Sequence, residues 1–379
     1  MSKSFRRLGA WLRGSRHRRL LHKALGQHSH QQDEVREAAL LGLIDAQLEP
    51  WRQRPPLRGE RAVDLLQDLN THFASLHVFE VDARQVDVWK KPALLNRQES
   101  EEGEARMYGK RANHYRTLLT EVAKLSRSDD RFLLAMDLAD IPMEHDAWPV
   151  FGFQKRAAST NLLLPDVDFF HHAWYQDDSD PLRYEDKSNT ACFVGSSTGA
   201  SLDANAVEHD TSPRLHLASR FVNDDRVVFK IAHAAHCDTE ATRRLLMAKP
   251  YFADPMRWDE QLKHRFLLSI DGNGATCSRV VKSLRSQGVL VKFQSEYGLY
   301  YFPLLRPDQH LLEVSSPEQV WRILDLESLQ PGHYRAVAAA GQDFAERYLS
   351  APAVVHYTRL MLRQYAAMLR GSTAIDAYA

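Results

Sequence analysis

Two short loops and a pair of aspartates carry the residue types from which chemistry can be built. Asp271-Gly272-Asn273-Gly274-Ala275 is followed by Ser278 and Arg279, and then by Val280, Val281 and Leu284 at helical spacing. A glycine turn that opens into a helix gathers backbone N–H groups at the positive end of the helix dipole. With an arginine in the first turns, that combination attracts a phosphate or pyrophosphate. Asp-Gly and Asn-Gly are also the commonest tight-turn dipeptides, so a plain loop uses the same residues equally well. Gly195-Ser196-Ser197-Thr198-Gly199 is a run of small residues whose backbone can come close to a phosphate, and an ordinary flexible loop has the same composition. Asp137 and Asp140 follow an apolar run at 132–136. A carboxylate at a strand's end can take the proton of a hydroxyl, although Asp140 also suits a turn ahead of Pro142.

Two further groups are candidates for metal chemistry. Asp166-Val167-Asp168 has the Asp-x-Asp form in which paired carboxylates hold a divalent cation on a nucleotide-sugar diphosphate. His171-His172 and His233 with His236 have no third ligand at a suggestive spacing, which favours surface or packing roles.

The elements that position these residues are legible as periodicity. Residues 266–270 read as a buried strand, the Val280 stripe as a helix, and 289–293 after Gly288 as a second strand. Such a βαβ unit binds ligands beyond the carboxyl ends of its strands. Residues 191–194 and 227–231 read as further strands of the same region. Upstream, 33–48 has a helical pattern, 51–56 is a Pro- and Arg-rich connection, and 76–81 with 86–89 is a strand pair. Residues 96–104 read as a polar, acidic loop, and Tyr115, Leu118, Leu119 and Val122 mark an amphipathic helix before the strand at 132–136. Near the end, 332–348 and 353–369 read as helices, the second with Val354, Tyr357, Met361, Tyr365 and Met368 on one face.

At 379 residues the chain exceeds what one core usually supports, so two domains are expected, with the acidic stretch at 177–186 as the linker. Lys plus Arg and Asp plus Glu are both 49, a balance that gives no reason to expect a nucleic-acid partner. Cys192, Cys237 and Cys277 are odd in number and widely separated, which suggests neither a disulfide framework nor a structural zinc. No run approaches the roughly 18 apolar residues of a membrane span, and the basic N-terminus lacks the apolar segment of a secretory signal. The expected location is the cytoplasm. Residues 1–25 hold eight Lys and Arg, no acid, and Phe5, Leu8 and Leu12 on one helical face. That segment suits an anionic membrane surface, and equally a solvated basic arm.

The region 130–370 resembles glycosyltransferase family 90, a group that includes lipopolysaccharide A type glycosyltransferases, capsule-associated xylosyltransferases and protein O-glucosyltransferases. The resemblance rests on Asp271-Gly272-Asn273-Gly274-Ala275 with Ser278-Arg279, on Tyr301-Phe302-Pro303-Leu304-Leu305-Arg306-Pro307 with His310, and on Asp140-Ile141-Pro142. Pro149-Val150-Phe151-Gly152-Phe153-Gln154-Lys155, Phe193-Val194-Gly195-Ser196 with Thr198-Gly199 and a later arginine at Arg214, and Gly341-Gln342-Asp343-Phe344-Ala345 extend it. Two positions depart from the family pattern: Leu299 stands where a glutamate is common, and Asp308 where a tryptophan is usual.

The resemblance implies an α/β fold of the GT-B type, two Rossmann-like domains with a cleft between them and a C-terminal helix crossing back. It divides the chain into a basic segment at 1–25, an acceptor-binding domain at 26–177, a nucleotide-sugar-binding domain at 178–350 and a crossing helix at 351–379. It makes Asp140 the catalytic base, with Asp137 its nearest competitor. It places the donor on Lys155, Gly195, Ser196, Ser197, Thr198, Gly199, Asp271, Gly272, Asn273, Gly274, Ala275, Ser278 and Arg279. The implied reaction is an inverting, metal-independent transfer from a UDP-sugar, a co-substrate rather than a cofactor, to a hydroxyl of a surface glycan or lipid-linked glycan. The sequence's final residues, 375–379, lack a retention signal and favour a bacterial-type member. The rival readings are a metal-dependent transferase built on Asp166 and Asp168, a nucleotide-sugar-binding protein without catalysis, for which Leu299 argues, and a nucleic-acid binder acting through 1–25.

Overall fold

The computed structural model describes residues 34–91, 99–126, 131–175 and 179–371, so the basic segment at 1–25 lies outside the described residues. The chain divides into two units. Unit 1 comprises Met1–Trp174, Leu299–Tyr301 and Ser350–Ala379, and unit 2 comprises Tyr175–Gly298 and Phe302–Leu349. Below, helices of eight residues or more and the strands of the two five-stranded sheets are labelled in chain order.

Unit 1 opens with α1 (Glu34–Gln53) and α2 (Gly59–His72), followed by β1 (Leu76–Val81) and β2 (Val86–Val88). The expected connection at 51–56 begins later than its composition suggests, because α1 continues through Pro50 to Gln53. Trp51 holds that last turn: it is buried, and its Nε1 donates to the Thr160 carbonyl at 3.0 Å. α3 (Glu99–Ser126) likewise starts inside the stretch expected to be an acidic loop. Acidic composition suits the first turns of a helix as well as a loop, since the macrodipole favours carboxylates there. Further along α3, Tyr115, Leu118, Leu119 and Val122 are fully buried on one stripe.

β3 (Phe132–Asp137), β4 (Val150–Gly152) and β5 (Leu162–Leu163) complete a sheet of order β2-β1-β3-β4-β5. This sheet is mixed, and the expected strand pair at 76–81 and 86–89 is its antiparallel edge. β1 is antiparallel to both β2 and β3, while β3, β4 and β5 are parallel. The cause is local. Asp82 Oδ1 accepts from the backbone N–H of Arg84 and Gln85 at 2.7 and 2.8 Å, closing a turn too short to join parallel neighbours.

Unit 2 contains β6 (Ser188–Ser196), α4 (Pro213–Phe221), β7 (Val227–His233), α5 (Glu240–Met247), β8 (His264–Ser269), α6 (Cys277–Leu284), β9 (Val289–Phe293), β10 (Leu312–Val314), α7 (Pro317–Leu329) and α8 (Arg335–Tyr348). Its sheet has the order β10-β9-β8-β6-β7, and every pairing is parallel. The central strands are buried on both faces over 191–194, 266–269 and 289–293 and are apolar there for the most part, whereas the edge strands β7 and β10 alternate. Counting from β6, the order is 2-1-3-4-5, so the direction of winding reverses between β6 and β8. That is the switch point, where the loops leaving adjacent strands part and leave a crevice.

The chain then returns to unit 1 as α9 (Ala351–Gly371), which packs on α1 and α3. Val354, Tyr357, Met361 and Tyr365 on its inner face are fully buried, and Met368 is half-buried. Two buried hydroxyls fix its register: Tyr357 donates to the Leu163 carbonyl at 2.7 Å, and Tyr365 to the Leu133 carbonyl at 3.0 Å. No helix among the described residues is long and apolar enough to cross a membrane.

Candidate active site

The switch point of unit 2 brings the two sequence loops together. The 195–199 loop leaves β6 and the 271–275 loop leaves β8, and they touch backbone to backbone. A Cβ on Gly199, whose φ is +110°, would lie 3.3 Å from the Gly272 Cα. A Cβ on Gly272 would lie 2.5 Å from an Arg214 nitrogen and 2.6 Å from the Thr198 hydroxyl. Gly272 has no room for a side chain, and at Gly199 a side chain would crowd the Gly272 backbone in a conformation that only glycine adopts readily.

Arg214 is the brace between these loops. Buried on α4, it donates to the Ser196 carbonyl at 2.8 Å and the Thr198 hydroxyl at 2.8 Å on one side. On the other it reaches the Ile270 and Asp271 carbonyls, each at 3.0 Å. Burial, with the nearby Arg279 charge, pushes its pKa down to about 10, so it stays cationic at neutral pH. The Asp271 carboxylate is held separately, by Lys292 at 2.9 Å and by the Ser295 hydroxyl at 2.6 Å. Ser197 is equally committed, its hydroxyl donating to the Ala235 carbonyl and accepting from the Ala235 N–H, both at 2.8 Å.

α6 begins at this point. Its N-cap Thr276 sits in the left-handed region at φ 55°, and its hydroxyl does not cap the helix. Instead it bonds the Ala275 carbonyl at 2.7 Å and the Ser269 hydroxyl at 2.8 Å. Asn273 is exposed and meets His236 Nε2 at 3.0 Å. Beside the loops lies a cavity of about 440 Å³, lined by Thr198, Gly199, Asp271 and Gly272 and by residues that end β9, including Phe293 and Glu296.

Arg279 is placed differently from Thr198 or Gly272. It does not line that cavity; its guanidinium lies 4.7 Å from the Phe193 ring and 5.6 Å from that of Trp258. Nη1 donates to Gln261 at 3.0 Å and Nη2 to the Val194 carbonyl at 2.5 Å. Burial pushes its pKa down to about 10.

In unit 1 the two candidate bases separate cleanly. Asp137, at the end of β3, is buried and accepts from the Ala139 and Met143 N–H groups at 2.9 and 2.8 Å, so both its oxygens hold the following loop. The Asp140 side chain is 38% exposed, which leaves it reachable by a substrate. Arg111 on α3 pairs with it at 3.1 Å and also donates to the Leu138 carbonyl at 2.6 Å. Arg111 lies 5.2 Å from the Phe153 ring, and Gln154 donates its side-chain N–H to the Asp140 carbonyl.

The profile of glycosyl transferase family 90 matches residues 129–378, about two thirds of the chain and the part that holds these features apart from Arg111 on α3. The chain belongs to glycosyl transferase family 90. That family is one of glycosyltransferases. No curated protein matches the chain. Among solved structures, the one titled "Crystal structure of GtfA/B complex" aligns at 15% identity and a TM-score of 0.31, over 50% of this chain and 39% of that one. This chain thus spans well under half of that neighbour's length, and a TM-score so low does not equate the two folds.

The departures from the family 90 pattern have local explanations. Leu299 is buried in unit 1, where an apolar side chain fits the core. Asp308 adopts φ 61° in a turn closed by its N–H to the Leu311 carbonyl at 2.8 Å. Aspartate tolerates that conformation far better than tryptophan does. Lys155 lies in unit 1, where its ammonium donates to the Ser159 and Asn161 carbonyls, each at 2.9 Å, and burial lowers its pKa. Asp166 is buried; one oxygen accepts from the Asp168 N–H at 3.0 Å and the other has no hydrogen-bond partner among the described residues. Burial and the Asp168 charge raise its pKa well above the carboxylate range.

Sequence reasoning missed Arg111, Lys292 and Glu296. Lys292 left a signal, because a lysine inside the apolar run of β9 needs a buried carboxylate partner. Arg111 left none, since only the fold brings α3 to the end of β3.

Proposed function

We propose that the chain transfers a sugar from a UDP-sugar to a hydroxyl of a cell-surface glycan of the lipopolysaccharide-core or capsule type, by a single inverting displacement that needs no metal. The observation that carries this reading is the pair of glycine loops braced by Arg214 beside the 440 Å³ cavity, at the switch point of a parallel sheet. A nucleoside suits that cavity, with Phe293 and Ile270 for the base and Glu296 for ribose hydroxyls. The diphosphate would lie at the start of α6, near Ser196, Ala275 and Ser278. The fixed positive charge of Arg279 would act on it through the field rather than by contact. Unit 2 then takes the donor role and unit 1 the acceptor role of a GT-B enzyme. Asp140 accepts the acceptor's proton as the hydroxyl attacks the anomeric carbon and UDP leaves. Residues 1–25 would hold the enzyme on the anionic cytoplasmic face of the membrane, where the acceptor is displayed.

One observation favours a second reading. The unpartnered oxygen of buried Asp166 beside Asp168 suits either a proton or a cation, and a cation would make the transferase metal-dependent. The deciding experiment incubates the purified chain with a panel of UDP-sugars and a glycan acceptor, and reads UDP release and the anomeric configuration of the product by NMR. Inversion undiminished in EDTA supports the first reading. Activity lost in EDTA and restored by Mn²⁺ establishes the second, and absence of turnover with every donor overturns the UDP-sugar assignment.

A further inference from the structure

Unit 1 holds a second cavity, of about 300 Å³, formed where α9 crosses the outer end of the sheet. Its lining includes Phe132, Leu362 and Ala366, with Asp82, Arg359, Arg363 and Arg370 as charged groups. It lies at the start of β3, whereas Asp140 follows that strand's far end, so the cavity is separate from the proposed base.

The two arginines are what make it unusual. Arg359 and Arg363 stand four residues apart on α9, one helical turn from each other on one face. Neither makes a hydrogen bond, ion pair or ring contact among the described residues. Some exposed arginines elsewhere are paired, Arg52 with Asp45 at 2.8 Å, Arg220 with Glu318 at 2.7 Å and Arg226 with Asp325 at 2.6 Å; what sets Arg359 and Arg363 apart is that they line a cavity together. Two like charges on adjacent turns repel weakly, and an anion held between them turns that repulsion into attraction. Asp82, the acid of the cavity, pairs with neither arginine; its Oδ1 accepts from the Arg84 and Gln85 N–H groups and its Oδ2 is left for a ligand.

We propose that this cavity binds a hydroxyl-bearing organic phosphate. Arg359 and Arg363 clamp the phosphate oxygens, as paired guanidiniums do. Phe132, Leu362 and Ala366 face the carbon skeleton, and Asp82 Oδ2 accepts from a ligand hydroxyl. A soluble sugar or polyol phosphate and the headgroup of a phosphatidylglycerol membrane share this chemistry. The site stands apart from the donor pocket of unit 2 and does not depend on which sugar is transferred.

The test uses the full-length chain saturated with UDP, so that the unit 2 pocket is filled, and titrates sn-glycerol 3-phosphate and inorganic phosphate by calorimetry. The expected result is binding of glycerol 3-phosphate that weakens at least tenfold in Arg359→Gln/Arg363→Gln, with an unchanged melting temperature. Arg363→Lys, which keeps the charge, should retain most of it. Inorganic phosphate should bind several-fold more weakly, and Asp82→Asn should erase that difference. Sedimentation with phosphatidylglycerol vesicles then distinguishes the sources. A loss in the double variant assigns the membrane headgroup, and unchanged sedimentation with impaired glycerol 3-phosphate binding assigns a soluble ligand. Equal titrations for the wild type and the folded double variant would overturn the site.

Discussion

The sheet of unit 2 runs every strand one way and ends in two glycine loops in backbone contact, whereas the sheet of unit 1 sets β1 against its neighbours and ends in a loop held by side chains. In unit 2 the position of the site is set by what is absent: Gly199 and Gly272 have no Cβ, so the loops close to a distance that any other residue would prevent. In unit 1 it is set by what reaches in. Arg111 comes from α3, Gln154 from beyond β4, and Asp137 holds the loop from within. A rigid backbone suits a pyrophosphate, which all nucleoside-diphosphate sugars share. A carboxylate tethered by distant side chains suits a proton transfer whose partner differs from acceptor to acceptor.

The sharpest way to break this contrast is to disable one unit's chemistry and leave the other's binding intact. Asp140→Asn keeps the shape and an oxygen that can accept from Arg111, but it cannot take a proton. Transfer should fall by ~10³-fold while UDP affinity, measured by calorimetry, stays within about twofold. Near-normal turnover would move the base elsewhere, and a matching loss of UDP affinity would show that the two units do not divide the work.

The complementary change is Arg214→Lys. An ammonium reaches one side of the junction but cannot brace both loops, so buried carbonyls lose their donors. We expect about 3 kcal/mol of lost stability in denaturant unfolding, and weakened UDP binding with it. Stability unchanged to within 0.5 kcal/mol or so would show that the glycine contact alone holds the loops.

The same contrast explains what the sequence disclosed. The unit 2 loops are local motifs: five consecutive residues in each, flanked by apolar runs, with β9 found at its observed limits. Their brace was visible only as a residue, because nothing in the order of amino acids shows that Arg214 joins a loop 18 residues back to one 57 residues ahead. In unit 1 the apolar run before Asp137 located β3, but the choice between Asp137 and Asp140 depends on which carboxylate is consumed by backbone N–H groups. That is a property of the folded loop. β5 escaped notice because two residues of strand carry no periodicity, and α2 because its polar surface positions outnumber its buried ones.

A pH experiment addresses unit 1 alone. His77, in β1 beside the end of β3, is buried with Nδ1 3.1 Å from the Ser75 carbonyl, and burial lowers its pKa to about 4. The unfolded chain binds that proton near pH 6.5 and the folded chain only near 4. The stability His77 withholds from protonation is therefore complete above pH 6.5 and lost as pH falls toward 4. The loss amounts to about 3 kcal/mol, read as a slope in the denaturation midpoint between those values. His77→Gln should flatten this slope. An unaltered slope would assign the acid sensitivity to another group.

The smallest effects test the contrast at single atoms and should differ in sign. At Gly272→Ala the added carbon meets the Arg214 guanidinium, fixed by bonds to both loops, and the Thr198 hydroxyl. Neither neighbour is a free chain end, so the loops must part, at a cost of about 1–3 kcal/mol and with weaker UDP binding. Gly109 lies inside α3 of unit 1, and a Cβ there meets nothing within 4 Å. Alanine at that position restricts the unfolded chain and favours the helix, so Gly109→Ala should stabilise by about 0.5–1 kcal/mol. Thermal melts of the two variants side by side are decisive. If both destabilise, the α3 position is constrained by something other than its immediate surroundings; if neither does, the glycine loops of unit 2 are looser than their backbone contact requires.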